Sequence, residues 1–236
     1  DSVAVLSMQP SEPGAQRGTL EDVALPWHLD GPAMPKPYPG LSLHALDLID
    51  GETATYFASG ALAYAALPDD LRRRIEHLRG IHILPAAPER HNTPDDLIGL
   101  QDDWPRGVHD LVQVHPVTGV PFLFVGLQAT VGVEGLTDED GEELLQALFA
   151  SYYRPEAIYE HRWRNGDLVI WDNRATNHRR SDLTGVSRRT LQRVQLADQS
   201  FRDAFPDFVP RGSYLKKIFG SYRAEEQVAG PTRSAS

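Results

Sequence analysis

The stretch from Gly166 to Asp198 constrains the fold of this chain most, because it reads as two strands joined by a polar loop. Leu168 to Trp171 is a short apolar run after a Gly-Asp turn, which predicts a buried strand. The second run, Arg189 to Ala197, alternates along its length and predicts another strand. His178 falls in the loop predicted between them. The stretch therefore predicts β-structure with a histidine and several charges near it.

Two arginines lie on one face of the second predicted strand. Side chains alternate between the two faces of a strand, so Arg189 and Arg193 point the same way. Arginines are mostly exposed in folded proteins, which favours a face in contact with water. If the face points inward instead, the protein holds cations in its interior, and anions must meet them there. Both interpretations are open at this point.

The composition limits the class of protein. The chain has 236 residues, 41% of them hydrophobic, which predicts one domain with a sizeable core over residues 1–236. A net charge of -10 argues against nucleic acid or an anionic membrane as a partner. No run of about 18 apolar residues predicts a membrane span. The absence of Cys excludes disulfides and thiol catalysis, and it fits the cytoplasm, which we predict as the location.

Further strands are predicted before the opening stretch. Leu41 to Ile49 alternates, and a turn after it leads into a second strand, Thr53 to Phe57. Val112 to His115 and Pro121 to Val125 flank the sequence PVTG, which predicts a β-hairpin.

Two helices are predicted. The segment Gly60 to Leu78 is rich in Ala and Leu, restarts near Pro68 and should end with Gly80 just past its last turn. The second helix begins after Thr137, which can cap its N-terminus, and stops at Arg154.

Two segments lack periodicity. Residues 85–109 are polar and rich in Pro and Asp, and loops this long are usually functional or disordered, so we predict a lid-like surface loop. Residues 225–236 are predicted to be a flexible tail. Because the sequence starts at Asp1 rather than Met, we expect an N-terminal part to be missing from it.

Three side chains are candidates for a metal site. His28 and Asp30 are two residues apart, so on an extended segment both leave the same face. An HxD pair alone is weak, and a surface pair or a local turn contact would explain it equally well. Together with His178 it supplies two imidazoles and one carboxylate, the facial triad of non-haem iron(II) oxygenases. Zinc accepts the same ligands, so the triad leaves the metal open.

Arg189 favours an oxygenase over a zinc site. It follows His178 by eleven residues on the next predicted strand. A planar, permanently charged guanidinium beside a metal suits a dicarboxylate that chelates the metal at its other end. Strands that meet at a metal inside a barrel, with few helices outside, are typical of a jelly roll. We therefore predict a mainly β fold with flanking helices around a double-stranded β-helix (jelly-roll, cupin-like) core.

The sequence resembles the taurine dioxygenase/TfdA family of Fe(II)- and 2-oxoglutarate-dependent oxygenases. The resemblance runs from about Leu25 to Asp198. Its strongest parts are LPWHLDG, the hairpin sequence VHPVTG, and WDNRATNH followed by RRTLQR. This combination of motifs is far more specific than any one of them.

The resemblance implies a role for each candidate residue. His28, Asp30 and His178 would bind Fe(II). Arg189, helped by Thr53, would bind the distal carboxylate of the cosubstrate 2-oxoglutarate. Arg193 would bind an anionic group of the substrate, or it would assist the metal-chelating end of the cosubstrate.

The resemblance also implies the activity. The chain would use Fe(II), 2-oxoglutarate and O2 to hydroxylate a C–H bond of a small anionic substrate, with release of succinate and CO2. One alternative is a tailoring oxygenase of specialised metabolism that performs desaturation, cyclisation or multi-step oxidation. A second alternative is a non-catalytic metal-binding jelly roll. The small-molecule substrate is the expected partner, and homo-oligomer formation is left open.

This chain departs from the family pattern at several places. Only 27 residues precede His28, fewer than family members carry before the HxD pair. Arg179 and Arg180 follow His178 where better-known members carry Tyr or a neutral residue. These arginines would add positive charge near the pocket or form a surface ion pair with Asp182.

Overall fold

The structure is a computed structural model that describes residues 2–7, 25–98, 100 and 102–209. The predicted tail at 225–236 lies outside the described residues. The chain divides into a compact unit, Asp1–Pro206, and a second unit, Asp207–Ser236, of which residues 207–209 are described. No described helix is long and apolar enough to cross a membrane.

Two antiparallel sheets of four strands each form the centre of the described part of the first unit. The order in the first sheet is β1 (Ser2–Ser7), β13 (Arg189–Leu196), β3 (Gly40–Leu48) and β11 (Leu168–Asp172). The order in the second sheet is β10 (Ile158–Arg162), β4 (Ala54–Ser59), β12 (Thr176–Arg180) and β2 (Leu25–His28). Strand neighbours are distant in sequence, as in a double-stranded β-helix. The predicted jelly-roll core is confirmed.

Smaller elements surround this core. A three-stranded sheet has the order β6 (Arg106–Asp110), β5 (Arg79–Ile83) and β9 (Thr130–Val133). The predicted hairpin is present as β7 (Val112–Val114) and β8 (Pro121–Leu123). The helices are α1 (Gly60–Ala65), α2 (Asp69–Ile75), α3 (Asp138–Tyr152) and α4 (Phe201–Ala204), with short 3-10 turns at Pro94–Leu97 and Pro155–Ala157.

Apolar side chains from both sheets meet in one cluster. Its buried members are Leu41, Leu43, Ala45, Leu48, Phe57, Trp163, Trp171 and Leu191. The indole nitrogen of Trp163 donates to Thr55 Oγ1 at 2.9 Å, which satisfies a polar group that burial would otherwise leave unpaired. The sheets are therefore joined by an apolar core beside the candidate site, where Phe57 and Trp171 pack against His178.

Helix α3 covers a second apolar cluster and follows its prediction. Thr137 caps it, because the hydroxyl oxygen accepts from Asp140 N at 3.2 Å. Leu144, Leu148 and Phe149 are buried in this cluster together with Ala63 of α1 and Val133 of β9. The predicted cap and apolar face are confirmed.

The first predicted helix is wrong in extent. Gly60–Leu78 is two short helices that break before Pro68, and α2 ends at Ile75. Gly80 is not a helix-terminating residue, because it lies inside β5 and pairs with both His109 and Val133. A Cβ at Gly80 would come within 2.9 Å of Leu111, so close packing rather than a left-handed turn accounts for the glycine.

The predicted loop at 85–109 is shorter than expected. Its last residues belong to β6, which begins at Arg106 and pairs with β5. Asn92 anchors the remainder, because its buried amide accepts from Ala86 N and Ala87 N and donates to Gln128 O. The lid function of this segment stays a prediction.

Candidate metal centre and anion pocket

Strand pairing brings the two candidate histidines together. His28 ends β2 and lies directly opposite His178 in β12, and their ring centroids are 4.1 Å apart. Asp30 follows β2 by two residues. One ligand atom from each of the three side chains lies within 4.8 Å of the others. His178 was expected in a loop, but Thr176–Arg180 pairs with β4 on one side and β2 on the other.

The histidine His28 is oriented by a backbone contact. Its Nδ1 lies 2.8 Å from Pro26 O, so Nδ1 carries the proton and donates. Its Nε2 then offers a lone pair, and it lies 3.7 Å from Asp30 Oδ1. A backbone carbonyl that fixes the tautomer of an imidazole is typical of metal ligands.

The carboxylate of Asp30 is held from the opposite sheet. Its Oδ2 accepts from Arg193 Nη1 and from Gln195 Nε2, each at 3.1 Å. The side chain of Asn173 forms hydrogen bonds with the backbone of Asp30. Asp30 is therefore fixed at its main chain and at one of its two carboxylate oxygens.

Electrostatics keep the three groups in the forms that bind metals. Burial lowers the pKa of His28, and it lowers the pKa of His178 well below its ordinary value. Burial would raise the pKa of Asp30, but Arg193, the two histidines and Gln195 together outweigh it, so that pKa is lowered. At neutral pH the site presents two neutral imidazoles and one carboxylate, which suits a divalent cation.

Arg189 is a buried cation that faces inward. Its residue is 2% exposed, and its Nε and Nη1 are buried without a hydrogen-bond partner in the described part of the chain. Burial and the charge of Arg180 lower its pKa to about 9, so it remains charged at neutral pH. A buried cation with unsatisfied donors is costly unless an anion binds it. The alternative that this strand face meets water is wrong for Arg189.

Thr53 is a second buried polar group with an unused atom. It precedes β4, is 2% exposed, and its Oγ1 has no hydrogen-bond partner among the described residues. A hydroxyl and a guanidinium with free donors are the groups that a carboxylate needs. Thr53 and Arg189 therefore fit the carboxylate that the sequence predicted for them.

The motif segments are tied together by side chains at the end of β11. Asp172 Oδ2 pairs with Nε2 of His115, which follows β7. Asn173 Oδ1 accepts from Asp30 N, and its Nδ2 donates to Tyr38 O. His115 is thus a structural residue that connects the hairpin to the strand before the candidate ligand His178.

A family model described as "Taurine catabolism dioxygenase TauD, TfdA family" matches residues 3–195. This chain belongs to the TauD/TfdA family. The match covers the described core with the triad and both inward arginines, and it confirms the resemblance inferred from the motifs.

Individual relatives agree with the family. The chain is 33% identical over 180 residues to the (S)-phenoxypropionate/alpha-ketoglutarate-dioxygenase of Sphingobium herbicidovorans, and the match covers 72% of this chain and 61% of that protein. It is 28% identical to the pentalenolactone F synthase of Streptomyces avermitilis, covering 82% and 68%. The crystal structure of AAD-2 in complex with Mn(II) and N-oxalylglycine is similar with a TM-score of 0.67 and 26% identity, covering 84% and 74%. The chain spans about three fifths of the phenoxypropionate dioxygenase.

Arg179 and Arg180, the residues that depart from the family pattern, differ in environment. Arg179 lies over the ring of Tyr56, with its guanidinium carbon 4.0 Å from the centroid, and also contacts Trp27. Arg180 is 5% exposed, and its charge acts on the pKa of Arg189. Arg180 thus adds positive charge to the interior, whereas Arg179 stacks on aromatic rings.

Sequence reasoning missed two residues at this TauD/TfdA site. Arg193 was a candidate already, and it points inward, where its guanidinium donates to Asp30. Gln195 shares the inward face of β13, so the alternation contained a signal for it. Asn173 lies in the WDNR motif, but its contact with Asp30 depends on the fold and has no signal in strand periodicity.

Proposed function

We propose that this chain is an Fe(II)- and 2-oxoglutarate-dependent dioxygenase that hydroxylates a C–H bond of a small anionic substrate, with release of succinate and CO2. The observation that carries the proposal is the convergence of His28, Asp30 and His178, whose ligand atoms lie within 4.8 Å of one another. Two histidines and one carboxylate leave positions open on an iron ion for further ligands.

His28, Asp30 and His178 would hold the metal. Bound there, Fe(II) would supply the activation of O2 that is coupled to oxidative decarboxylation of 2-oxoglutarate. The residues fit this ion, because the imidazoles are kept neutral and the carboxylate is kept ionised. The alpha-ketoglutarate dependence in the name of the Sphingobium relative supports iron over zinc.

Arg189 and Thr53 would bind the cosubstrate. 2-Oxoglutarate carries a carboxylate remote from its 2-oxo acid group, and the buried guanidinium with its unused donors would pair with it. The relative AAD-2, whose structure holds Mn(II) together with N-oxalylglycine, supports a metal and a carboxylate ligand in the same fold.

The substrate class rests on Arg193 and on the relatives. The side chain of Arg193 is 25% exposed, more than that of Asp30, so it can reach an anion that enters from the solvent side. Phenoxypropionate, named in one relative, is such an anion. Arg193 would bind the substrate anion or the chelating end of the cosubstrate.

A tailoring oxygenase of specialised metabolism is the second candidate. The similarity to pentalenolactone F synthase over 82% of this chain favours it. The mass of the product separates the two functions, because hydroxylation adds one oxygen whereas desaturation removes two hydrogens.

The test uses the purified chain without O2. Addition of Fe(II) and 2-oxoglutarate should give a visible charge-transfer band, and subsequent O2 should give succinate that increases with at least one aryloxyalkanoate, sulfate ester or other carboxylate. Asp30→Asn should give neither signal. A wild-type chain that shows no band and no succinate would be evidence for the non-catalytic metal-binding alternative.

The proposal also includes a single oxygenase domain over residues 1–236 and a location in the cytoplasm.

A further inference from the structure

Gln195 is a buried neutral side chain that reaches the candidate metal centre. It lies near the end of β13, opposite Leu41 of β3, and is 6% exposed. Its Nε2 donates to Asp30 Oδ2 at 3.1 Å. Strand alternation places it on the same face as Arg193, two residues before it.

The two oxygens of Asp30 have different surroundings. Oδ2 accepts from Arg193 and Gln195, both at 3.1 Å. Oδ1 lies toward the histidines, 3.7 Å from His28 Nε2. One oxygen is thus held by donors from the first sheet, and the other faces the remaining metal ligands.

The number of oxygens that Asp30 offers decides how many positions remain on a metal. A six-coordinate ion that takes one atom from each of His28, Asp30 and His178 keeps three positions open. A carboxylate that binds through both oxygens leaves two. A chelating 2-oxo acid needs two positions and O2 needs one, so the proposed reaction requires Asp30 to bind through a single oxygen.

Arg193 alone would hold the second oxygen unreliably. Its side chain is 25% exposed and charged, so an anionic ligand competes with Asp30 for the same guanidinium. Gln195 is buried and uncharged, so an anion in the pocket exerts little pull on it. Its hydrogen bond to Oδ2 persists when Arg193 turns to a ligand.

We propose that Gln195 is a positioning residue that keeps Oδ2 of Asp30 off the metal and so preserves the third open position, which O2 needs once the 2-oxo acid has taken the other two. The inference rests on the proposed function, because it assumes that His28, Asp30 and His178 bind a metal. Arg193 also holds Oδ2 of Asp30 when no anion is bound to its guanidinium. Once an anion binds Arg193, Gln195 holds this oxygen alone.

Binding, rather than turnover, tests the inference. Nitric oxide, a probe that occupies the O2 position on Fe(II), is titrated without O2 into the full chain saturated with Fe(II) and 2-oxoglutarate, and the titration gives its Kd. Gln195→Met keeps the length of the side chain but removes the donor, and Gln195→Leu removes the donor in a shorter apolar side chain. Both substitutions should weaken nitric oxide binding about tenfold, the lower end of the effect typical for groups that orient metal ligands. The control is Gln192→Met, a half-buried glutamine on the opposite face of the same strand.

The outcomes separate the inference from the function on which it rests. Weakened nitric oxide binding in both Gln195 variants, with unchanged melting temperature of the metal-free chains and an unchanged Kd in Gln192→Met, supports the role. Wild-type binding of nitric oxide with equal Kd values in the Gln195 variants overturns the inference alone. Should one variant fail to fold, the other decides. If the wild-type chain does not bind Mn(II), or if His28→Ala binds it equally well, the proposed function fails and the inference fails with it.

Discussion

Asn173 holds the backbone of Asp30 at both of its polar atoms. Its Oδ1 accepts from Asp30 N at 2.9 Å, and its Nδ2 donates to Asp30 O at 2.9 Å. The same amide reaches Tyr38 O at 2.9 Å, and Asn173 is fully buried. The main chain that carries the candidate carboxylate ligand is thus fixed by a residue 143 positions later in the sequence.

Asn173→Ala should therefore impair both stability and metal binding. The substitution removes three hydrogen bonds to backbone groups of Asp30 and Tyr38, at a cost of about 1 kcal/mol for each bond and about 3 kcal/mol in total. Urea unfolding of the metal-free chain measures this cost, and a Mn(II) titration should show weaker binding. The control is Asn165→Ala, since Asn165 also bonds backbone atoms of Leu48 but is exposed. Equal Mn(II) affinity in wild type and Asn173→Ala would contradict the positioning of Asp30 by this amide.

Arg189→Met should separate stability from cosubstrate binding. A buried cation with unsatisfied donors costs free energy, so its replacement by an apolar side chain of similar length should leave the metal-free chain as stable as wild type or more stable. Loss of the ion pair should weaken 2-oxoglutarate binding by about 2–5 kcal/mol, which is about 30-fold or more. Thermal melting with and without Mn(II) and 2-oxoglutarate checks both effects. The control is Arg188→Met, because Arg188 is exposed and pairs with Asp47 at 3.2 Å. If 2-oxoglutarate raises the Tm of Arg189→Met as much as that of the wild type, Arg189 does not bind the cosubstrate.

Metal addition should stabilise the wild-type chain through His178. A ligand that binds the folded state alone at about 100 times its Kd adds about 2.7 kcal/mol, so Mn(II) should raise Tm and a chelator should reverse the rise. His178→Ala should abolish this rise. His44→Ala, on β3 and outside the triad, should keep it. The idea fails if Mn(II) stabilises His178→Ala as much as it stabilises the wild type.

A histidine outside the candidate site should make stability depend on pH. Burial, with a smaller effect of His109, lowers the pKa of His82 from 6.5 to about 3. Between these pH values the unfolded chain binds a proton at His82 that the folded chain does not bind. The contribution of neutral His82 to the free energy of unfolding is therefore intact above pH 6.5 and is lost as the pH falls toward 3. The slope is about 1.4 kcal/mol per pH unit, or about 2 kcal/mol by pH 5.

His82→Gln should remove that slope. Urea unfolding at pH 7, 6 and 5 gives the free energy of unfolding, and the difference between wild type and variant should narrow as the pH falls. His77→Gln changes an exposed histidine and should leave the wild-type slope intact. Parallel pH profiles for wild type and His82→Gln would show that His82 is protonated to the same extent in both states.

Much of the architecture could be predicted from local patterns. Alternation located β3 and β13, turn residues located the hairpin of β7 and β8, and Thr137 marked the start of α3. Gly80 was misjudged because a glycine after a helical run resembles a helix end, whereas packing against Leu111 accounts for it. His178 was assigned to a loop because polar residues dominate β12, a strand whose inward face lines the site.

Local patterns establish the residue types and their periodicity: an HxD pair, a distal histidine, and two arginines on one strand face. The hydrogen-bond partners of these residues depend on the tertiary structure. Arg193 could have faced water, but the packing of the two sheets places it against Oδ2 of Asp30, 163 positions earlier in the sequence. Hydrogen bonds between residues so distant depend on how the two sheets pack, and no local pattern encodes that arrangement. For the same reason the contacts of Asn173 and Gln195 with Asp30 became visible only in the folded chain, although alternation already places Gln195 on the inward face.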